Sequence, residues 1–137
     1  MNCRKIALDN RYLLLLAISY QNKKLGNGAA NTVYELTQNA IKWGYSKPRE
    51  APKGSILNRW IQQKEAPAWA TKAAARQLLG CAEYVPKTDG EVLALGLCLA
   101  EALPDQAPDQ LQRLLPSALV AKLTRDILEW ACSARKQ

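Results

Sequence analysis

The chain has 137 residues, of which 48% are hydrophobic, and a formal net charge of +7. This length fits one domain, and the apolar fraction is sufficient for a hydrophobic core, which excludes wholesale disorder. Histidine is absent, so a Ser–His–Asp triad and an HExxH zinc site are excluded. Because CxxC pairs, paired catalytic carboxylates and Gly-rich phosphate loops are also missing, we predict no enzymatic activity, metal, cofactor or small-molecule substrate.

Positive charge is concentrated in the first part of the chain. Residues 1–80 contain thirteen Lys and Arg against four Asp and Glu, whereas residues 81–137 contain six against eight. We therefore predict a basic region, residues 1–84, that binds a polyanion, and an acidic and apolar region, residues 85–137. The alternative is an ordinary basic surface that keeps a small protein in solution.

The N-terminal segment predicts a cytoplasmic location. Arg4 and Lys5 precede an apolar run over residues 12–18, as they would in a weak signal peptide. However, Asp9 and Arg11 adjoin this run, and its length is at the lower limit of about 7 residues for a signal peptide. No stretch approaches the roughly 18–20 apolar residues of a membrane span, so no membrane association is expected. The four cysteines are far apart and fit buried positions in a reducing cytosol.

Glycine and proline divide the first half of the chain into predicted helices. The first runs from a cap at Asp9 to about Asn22 and is apolar almost all round. The second opens with a capping box of Thr32 and Glu35 and ends at Gly44. Its inward stripe is predicted to be Val33, Leu36, Ala40 and Trp43.

A basic loop and two further helices follow. Residues 45–54 form a loop with three basic side chains and two prolines, which should stiffen it. Ser55 is predicted to cap a third helix that reaches about Lys64. Pro67 fits the first turn of a fourth, alanine-rich helix over Ala68–Leu79.

The second half is more apolar. Thr88 and Glu91 form another capping box before a helix predicted from Val92 to Leu103. Residues 92–100 contain no polar side chain, and a buried strand is the alternative for this segment.

Two more helices are predicted near the end of the sequence. A short helix starts at about Asp109, and Ser117 caps a last helix. The inward stripe of the last helix is predicted to be Val120, Leu123, Ile127 and Trp130. Together these elements predict an all-α helical bundle, in which the C-terminal helices either complete the core or form a dimer interface.

The third helix carries a polar face of the kind that reads bases. Four side chains recur at positions i, i+3, i+4 and i+7 of that face: Ser55, Asn58, Arg59 and Gln62. In the major groove, arginine matches the edge of guanine, and asparagine or glutamine matches the edge of adenine. Basic residues flank the helix where phosphate would lie: Lys47, Arg49, Lys53 and Lys64. These eight residues are the predicted DNA-binding site, although polar stripes also occur on ordinary surface helices.

Residues 32–80 resemble the helix-turn-helix unit of phage repressor-type DNA-binding proteins. The likeness depends on the segment SILNRWIQQKEAP at residues 55–67 and on the helix after it, which ends in LLG. In that family, a Ser-x-Ile-Ser-x-Trp-like helix is followed by a short basic turn, a proline and another amphipathic helix. Ile56 and Trp60 match its buried positions. Its exposed positions, which contact bases and phosphate, are matched by Ser55, Asn58 and Arg59.

The first helix of the motif is also matched in part. Ala40 and Gly44 are similar to the small residue and the turn glycine of that helix. Gly44 and Ile56 are twelve positions apart, about twice what the tight turn of the family allows.

The resemblance implies a sequence-specific DNA-binding transcriptional regulator. Helix 55–64 would then read the major groove of duplex DNA, and the protein would bind as a homodimer. Residues 92–100 and the last helix are candidates for the dimer surface.

Two alternatives belong to other classes of protein. One is a small helical RNA- or single-stranded-DNA-binding subunit of a ribonucleoprotein, in which Trp43, Tyr45 and Trp69 stack on bases. The other is a small helical protein-interaction inhibitor, whose basic half docks on an acidic partner.

Overall fold

A computed structural model describes residues 2–136 of the chain. This part of the chain contains nine helices and no strand, so the all-α prediction is confirmed and the strand alternative for residues 92–100 is wrong. The helices are α1 (Cys3–Asp9), α2 (Tyr12–Lys24), α3 (Ala29–Lys42), α4 (Ser55–Gln62), α5 (Ala68–Leu78), α6 (Asp89–Ala102), α7 (Pro108–Leu114), α8 (Ser117–Val120) and α9 (Arg125–Ala134). None of them has both the length and the hydrophobicity needed to cross a membrane.

One hydrophobic core joins the two halves of the chain. Helix α5 packs against α2, α3 and α6, and α6 also packs against α1 and α9. The buried face of α5 is made mostly of alanine, whose small side chain lets neighbouring helices approach closely. Fully buried leucines come from both halves, for example Leu15 and Leu36 from the first and Leu95 and Leu128 from the second. The basic and acidic regions therefore share their interior.

The apolar segment 92–100 lies in this interior. All its residues except Leu93 are buried, and a Cβ placed on Gly96 would lie 3.2 Å from a methyl group of Ile127. The segment completes the core of a single chain. Of the two roles predicted for it, completion of the core and a dimer surface, its burial supports the first.

The predicted first helix corresponds to α2, and the sequence analysis missed α1 before it. Asp9 is the last residue of α1, not a cap, and Asn10 closes that helix by donating its backbone N–H to Ala7 O. The side chain of Asn10 also donates a 2.7 Å hydrogen bond to Ile6 O. These bonds satisfy carbonyls at the end of α1, and α2 begins anew at Tyr12.

Helix α3 begins before its predicted cap. Gly28 is the N-cap, so Thr32 lies in the first turn of the helix, where its hydroxyl donates to Gly28 O. The capping box of Thr32 and Glu35 is therefore wrong. The predicted inward stripe is confirmed, since Val33, Leu36 and Ala40 are fully buried and Trp43 is half-buried. Gly44 follows the helix with a φ of +83°, as expected of a terminating glycine.

The bounds of α4 and α5 also differ slightly from the prediction. Gly54 is the N-cap of α4, so Ser55 is its first helical residue and makes no capping hydrogen bond. The helix ends at Gln62, and Lys64 lies beyond it with a φ of +54°. Pro67 is the N-cap of α5, which ends at Leu78.

Half of the capping box predicted at Thr88 is confirmed, because its hydroxyl accepts a 3.1 Å hydrogen bond from Glu91 N, whereas the Glu91 carboxylate accepts from Tyr84 and Lys87. The predicted last helix, in contrast, is interrupted. Helix α8 is a short turn, and Thr124 caps a new helix, α9, by accepting from Ile127 N. Val120 is consequently 41% exposed and does not belong to the inward stripe, whereas Leu123 is fully buried.

Candidate nucleic-acid interface

Helix α4 presents the predicted polar face to solvent. Leu57 on the opposite face is fully buried, and Trp60 and Ile61 are half-buried. Trp60 contacts the ring of Trp69 edge-on at a centroid distance of 5.8 Å, which ties α4 to the start of α5. The exposed residues are Ser55, Asn58, Arg59 and Gln62. Within residues 2–136 their side chains form no hydrogen bond and no ion pair, so their polar atoms are available to a partner.

A close approach of two helix starts fixes the position of α4. A Cβ built on Gly54 would lie 2.7 Å from Ala30 N and 2.9 Å from Ala30 Cα, so only glycine fits at this point without a shift. The N-terminus of α4 therefore lies beside that of α3, and neither has a side-chain cap. Helix dipoles favour negative charge at such ends, and the exposed Lys53 adjoins them.

The four predicted phosphate-binding cations are all exposed, but they are not in one place. Lys47, Arg49 and Lys53 lie in the loop before α4. The guanidinium of Arg49 lies 5.0 Å from the centroid of the Trp69 ring, at the start of α5. Lys64 lies on another side of α4, where its Nζ is 5.7 Å from the ring of Tyr12 in α2.

Arg59 lines a shallow cleft at the junction of α4 and α5. The cleft has a volume of about 380 Å³ and is also lined by Trp60, Gln63 and Pro67. The contact between Trp60 and Trp69 holds the start of α5 next to α4 at this cleft.

Two basic residues of α5 were missed by the sequence analysis. Trp69, Lys72 and Arg76 are spaced by three and four residues, so they share one helix face. Lys72 Nζ lies 5.9 Å from the centroid of the Tyr45 ring, and Arg76 Cζ lies 4.4 Å from that of Trp43. The spacing on α5 was visible in the sequence. The aromatic partners in the distant 43–45 segment were not.

Arg76 and Tyr45 are further fixed by hydrogen bonds. The guanidinium of Arg76 donates a 3.2 Å hydrogen bond to the Tyr45 hydroxyl, which in turn donates at 2.6 Å to Ala102 O in α6. These groups line a cleft of about 470 Å³, whose other side carries Glu101 and Asp105.

The spacing between α3 and α4 departs from a tight helix-turn-helix. Residues 43–54 separate the two helices, although α3 does pack against both α4 and α5. Comparisons of the chain with protein-family models, with curated proteins and with solved structures found no match. The resemblance to the repressor family stays a prediction made from the residues.

Proposed function

We propose that the protein is a cytoplasmic, sequence-specific DNA-binding regulator that reads duplex DNA with α4. The observation that carries this proposal is the exposed face of Ser55, Asn58, Arg59 and Gln62, on a helix whose opposite face is packed. An α-helix with its side chains is about 10–12 Å in diameter, and the major groove of B-DNA is about 12 Å wide. The helix can therefore lie in the groove with its four polar side chains at base edges.

Phosphate contacts would come from groups around the start of α4. Lys53 is exposed beside the start of α4, and Lys47 is exposed in the loop that precedes it. Such contacts release counterions from DNA, so affinity should fall steeply as salt rises. They position the protein on the duplex but do not distinguish one sequence from another.

Homodimerisation is part of the proposal, because regulators of this type commonly bind two half-sites. With residues 92–100 buried, the remaining exposed apolar candidates in the described part of the C-terminal region are Val85, Leu114 and Val120, which are 38%, 50% and 41% exposed. Sedimentation of the protein with and without Leu114→Asp tests this part. A wild-type monomer at all concentrations would contradict it.

The single-strand alternative has less support from the geometry. Trp43, Tyr45 and Trp69 each have a cation over one ring face, and all three also pack against the core. Stacking on a base needs an uncovered ring face. Because these rings are covered, they favour binding of duplex DNA over base stacking.

The test is selection of bound sequences from a random duplex pool, followed by variants. Arg59→Ala should relax the preference at one base position and cost about 1–3 kcal/mol of binding free energy, because the arginine fork is lost. Lys53→Ala should instead weaken binding to all sequences evenly and reduce the salt slope by about 1. Arg113→Ala is the matched control, since Arg113 is exposed on α7 and far along the chain from α4. A pool without an enriched motif, or an Arg59→Ala variant that binds like the wild type, overturns the proposal.

A further inference from the structure

Three basic side chains are held in a row by aromatic rings. Arg49 lies over Trp69, Lys72 over Tyr45, and Arg76 over Trp43. The rings belong to α5 and to the segment after α3, and Trp43 and Tyr45 are themselves 6.1 Å apart. We call Arg49, Lys72 and Arg76 the cation ridge. Contact with a ring face restricts a long side chain, so these charges are more fixed than ordinary surface lysines and arginines.

No carboxylate neutralises the ridge. The ion pairs found in residues 2–136 join Lys5 to Asp9, Lys24 to Glu83, and Arg125 to Asp109 and Glu129. None of them involves Arg49, Lys72 or Arg76. Glu101 and Asp105 line the cleft beside Lys72 and Arg76 but form no ion pair with them. A row of fixed cations that form no ion pair is complementary to a polyanion.

The ridge begins next to α4, at the junction of α4 and α5. Arg59 lines the cleft at the junction of α4 and α5, Trp60 contacts Trp69 there, and Trp69 shares the α5 face with Lys72 and Arg76. From Trp69 to Arg76 the face extends about 10 Å along the helix, which is roughly the rise of three nucleotides in one strand.

We propose that the cation ridge binds the phosphate backbone of duplex DNA beside the bases that α4 reads. This inference rests on the proposed function, because it assumes that the protein binds duplex DNA. It adds a second DNA-contacting surface, which has no sequence preference of its own. Phosphate is the group recognised, because the ridge offers charged N–H donors while its ring faces are already covered. Glu101 and Asp105 line the same cleft as Lys72 and Arg76, so they would repel a phosphate that entered this cleft.

The test compares the salt dependence of binding for a duplex limited to the selected motif and for one extended by about ten base pairs on each side. Lys72→Gln and Arg49→Gln are the principal variants, since each removes one charge and only a ring contact. Arg113→Gln and Lys122→Gln are the matched controls on exposed positions of the C-terminal region. Thermal melting of each variant shows whether the fold is retained. Arg76→Gln is secondary, because it also removes the hydrogen bond to Tyr45.

On the extended duplex, each ridge variant should reduce the slope of log affinity against log salt by about 0.9, with an unchanged selected motif. Hydroxyl-radical footprints should lose protection on the flank only. Asp105→Asn should increase affinity for the extended duplex, because it removes a repelling charge. If the salt slopes, footprints and affinities of the ridge variants match those of the controls, the proposed role of the ridge is overturned. The proposed role of α4 in reading bases would be unaffected by that result.

The two proposals can fail separately. If no motif is selected and Arg59→Ala is silent, but Lys72→Gln still reduces the salt slope on any duplex, then the reading role is overturned and the ridge stands as a duplex-backbone surface. Tighter binding of single-stranded DNA or RNA than of duplex, with the same loss in Lys72→Gln, would overturn the ridge as a duplex contact.

Discussion

Glu91 is a carboxylate buried near the start of α6, with only 6% of its surface exposed. The Tyr84 hydroxyl donates a 2.6 Å hydrogen bond to its Oε2, and the backbone N–H of Lys87 donates at 3.3 Å to its Oε1. A buried carboxylate is costly unless such donors surround it. The same carboxylate was predicted to complete a capping box with Thr88. Instead it fastens the segment between α5 and α6 to the core.

Removing the Tyr84 hydroxyl should destabilise the protein. We expect Tyr84→Phe to lower the free energy of unfolding by about 1–3 kcal/mol at neutral pH, because Glu91 loses its closest donor. Tyr34→Phe is the control, since Tyr34 is 57% exposed on α3. Urea denaturation followed by circular dichroism measures both, and equal effects of the two variants would contradict the assignment.

The same contact should depend on pH. Burial, together with the hydrogen bond to Glu91, raises the pKa of Tyr84 well above its ordinary value. The folded protein therefore keeps the proton that an unfolded tyrosine loses near pH 10, so the stabilisation is complete below about pH 10 and declines as pH rises further. The stability difference between wild type and Tyr84→Phe should shrink between about pH 10 and pH 11. A difference that stays constant over this interval would be evidence against the buried pair.

At the scale of helices, the sequence located the segments better than their ends. The apolar period identified the buried stripe of α3 and the packed face of α4, because those positions are set by the helical repeat alone. The caps predicted at Thr32, Ser55 and Ser117 were wrong, since α3, α4 and α8 have Gly28, Gly54 and Pro116 in that position. At Gly54 the deciding factor is the backbone of Ala30, which is remote in sequence and therefore invisible to a local capping rule.

Gly54→Ala should displace α4 from α3. The backbone of Gly54 has φ of −57° and ψ of −29°, which alanine adopts readily, so the effect is purely steric. The added methyl group would meet backbone atoms of Ala30, and we expect a loss of about 1–3 kcal/mol in stability together with weaker DNA binding.

Gly28→Ala is the matched control, since nothing lies within 4 Å of a Cβ at that helix cap. Chemical denaturation of both variants measures the difference. A Gly54→Ala protein that is at least as stable as Gly28→Ala would show that the helix starts are not in contact.

Across the whole molecule, the sequence predicted which α4 side chains are exposed but not which other cations join them. In the sequence, Lys72 and Arg76 are two basic residues of an alanine-rich helix. Only the fold shows that Tyr45 and Trp43 contact them. The burial of residues 92–100 was similarly undecided, because an apolar run fits a core and an interface equally well. Only the packing of α6 between α1, α5 and α9 distinguishes the two.

Cys98 reports on this packing. The thiol is fully buried in α6, and desolvation raises its pKa to about 12. Because the thiolate is the reactive form, we expect Cys98 to resist alkylation until the whole core opens. Cys81, half-buried in the turn after α5, is the internal comparison and should react in the folded protein. Mass spectrometry of labelled peptides over a urea series measures this, and similar labelling of the two thiols without urea would contradict the packing.

The shared core also bears on how binding specificity can be changed. Residues 1–84 share their interior with the rest of the chain, since α5 also packs against α6. Transplanting that region alone into another protein would therefore expose the face of α5 that α6 covers. Exchange of the side chains at positions 55, 58, 59 and 62 alone leaves every buried contact in place. The protein can thus serve as the scaffold of a variant library in which only these four surface positions are randomised.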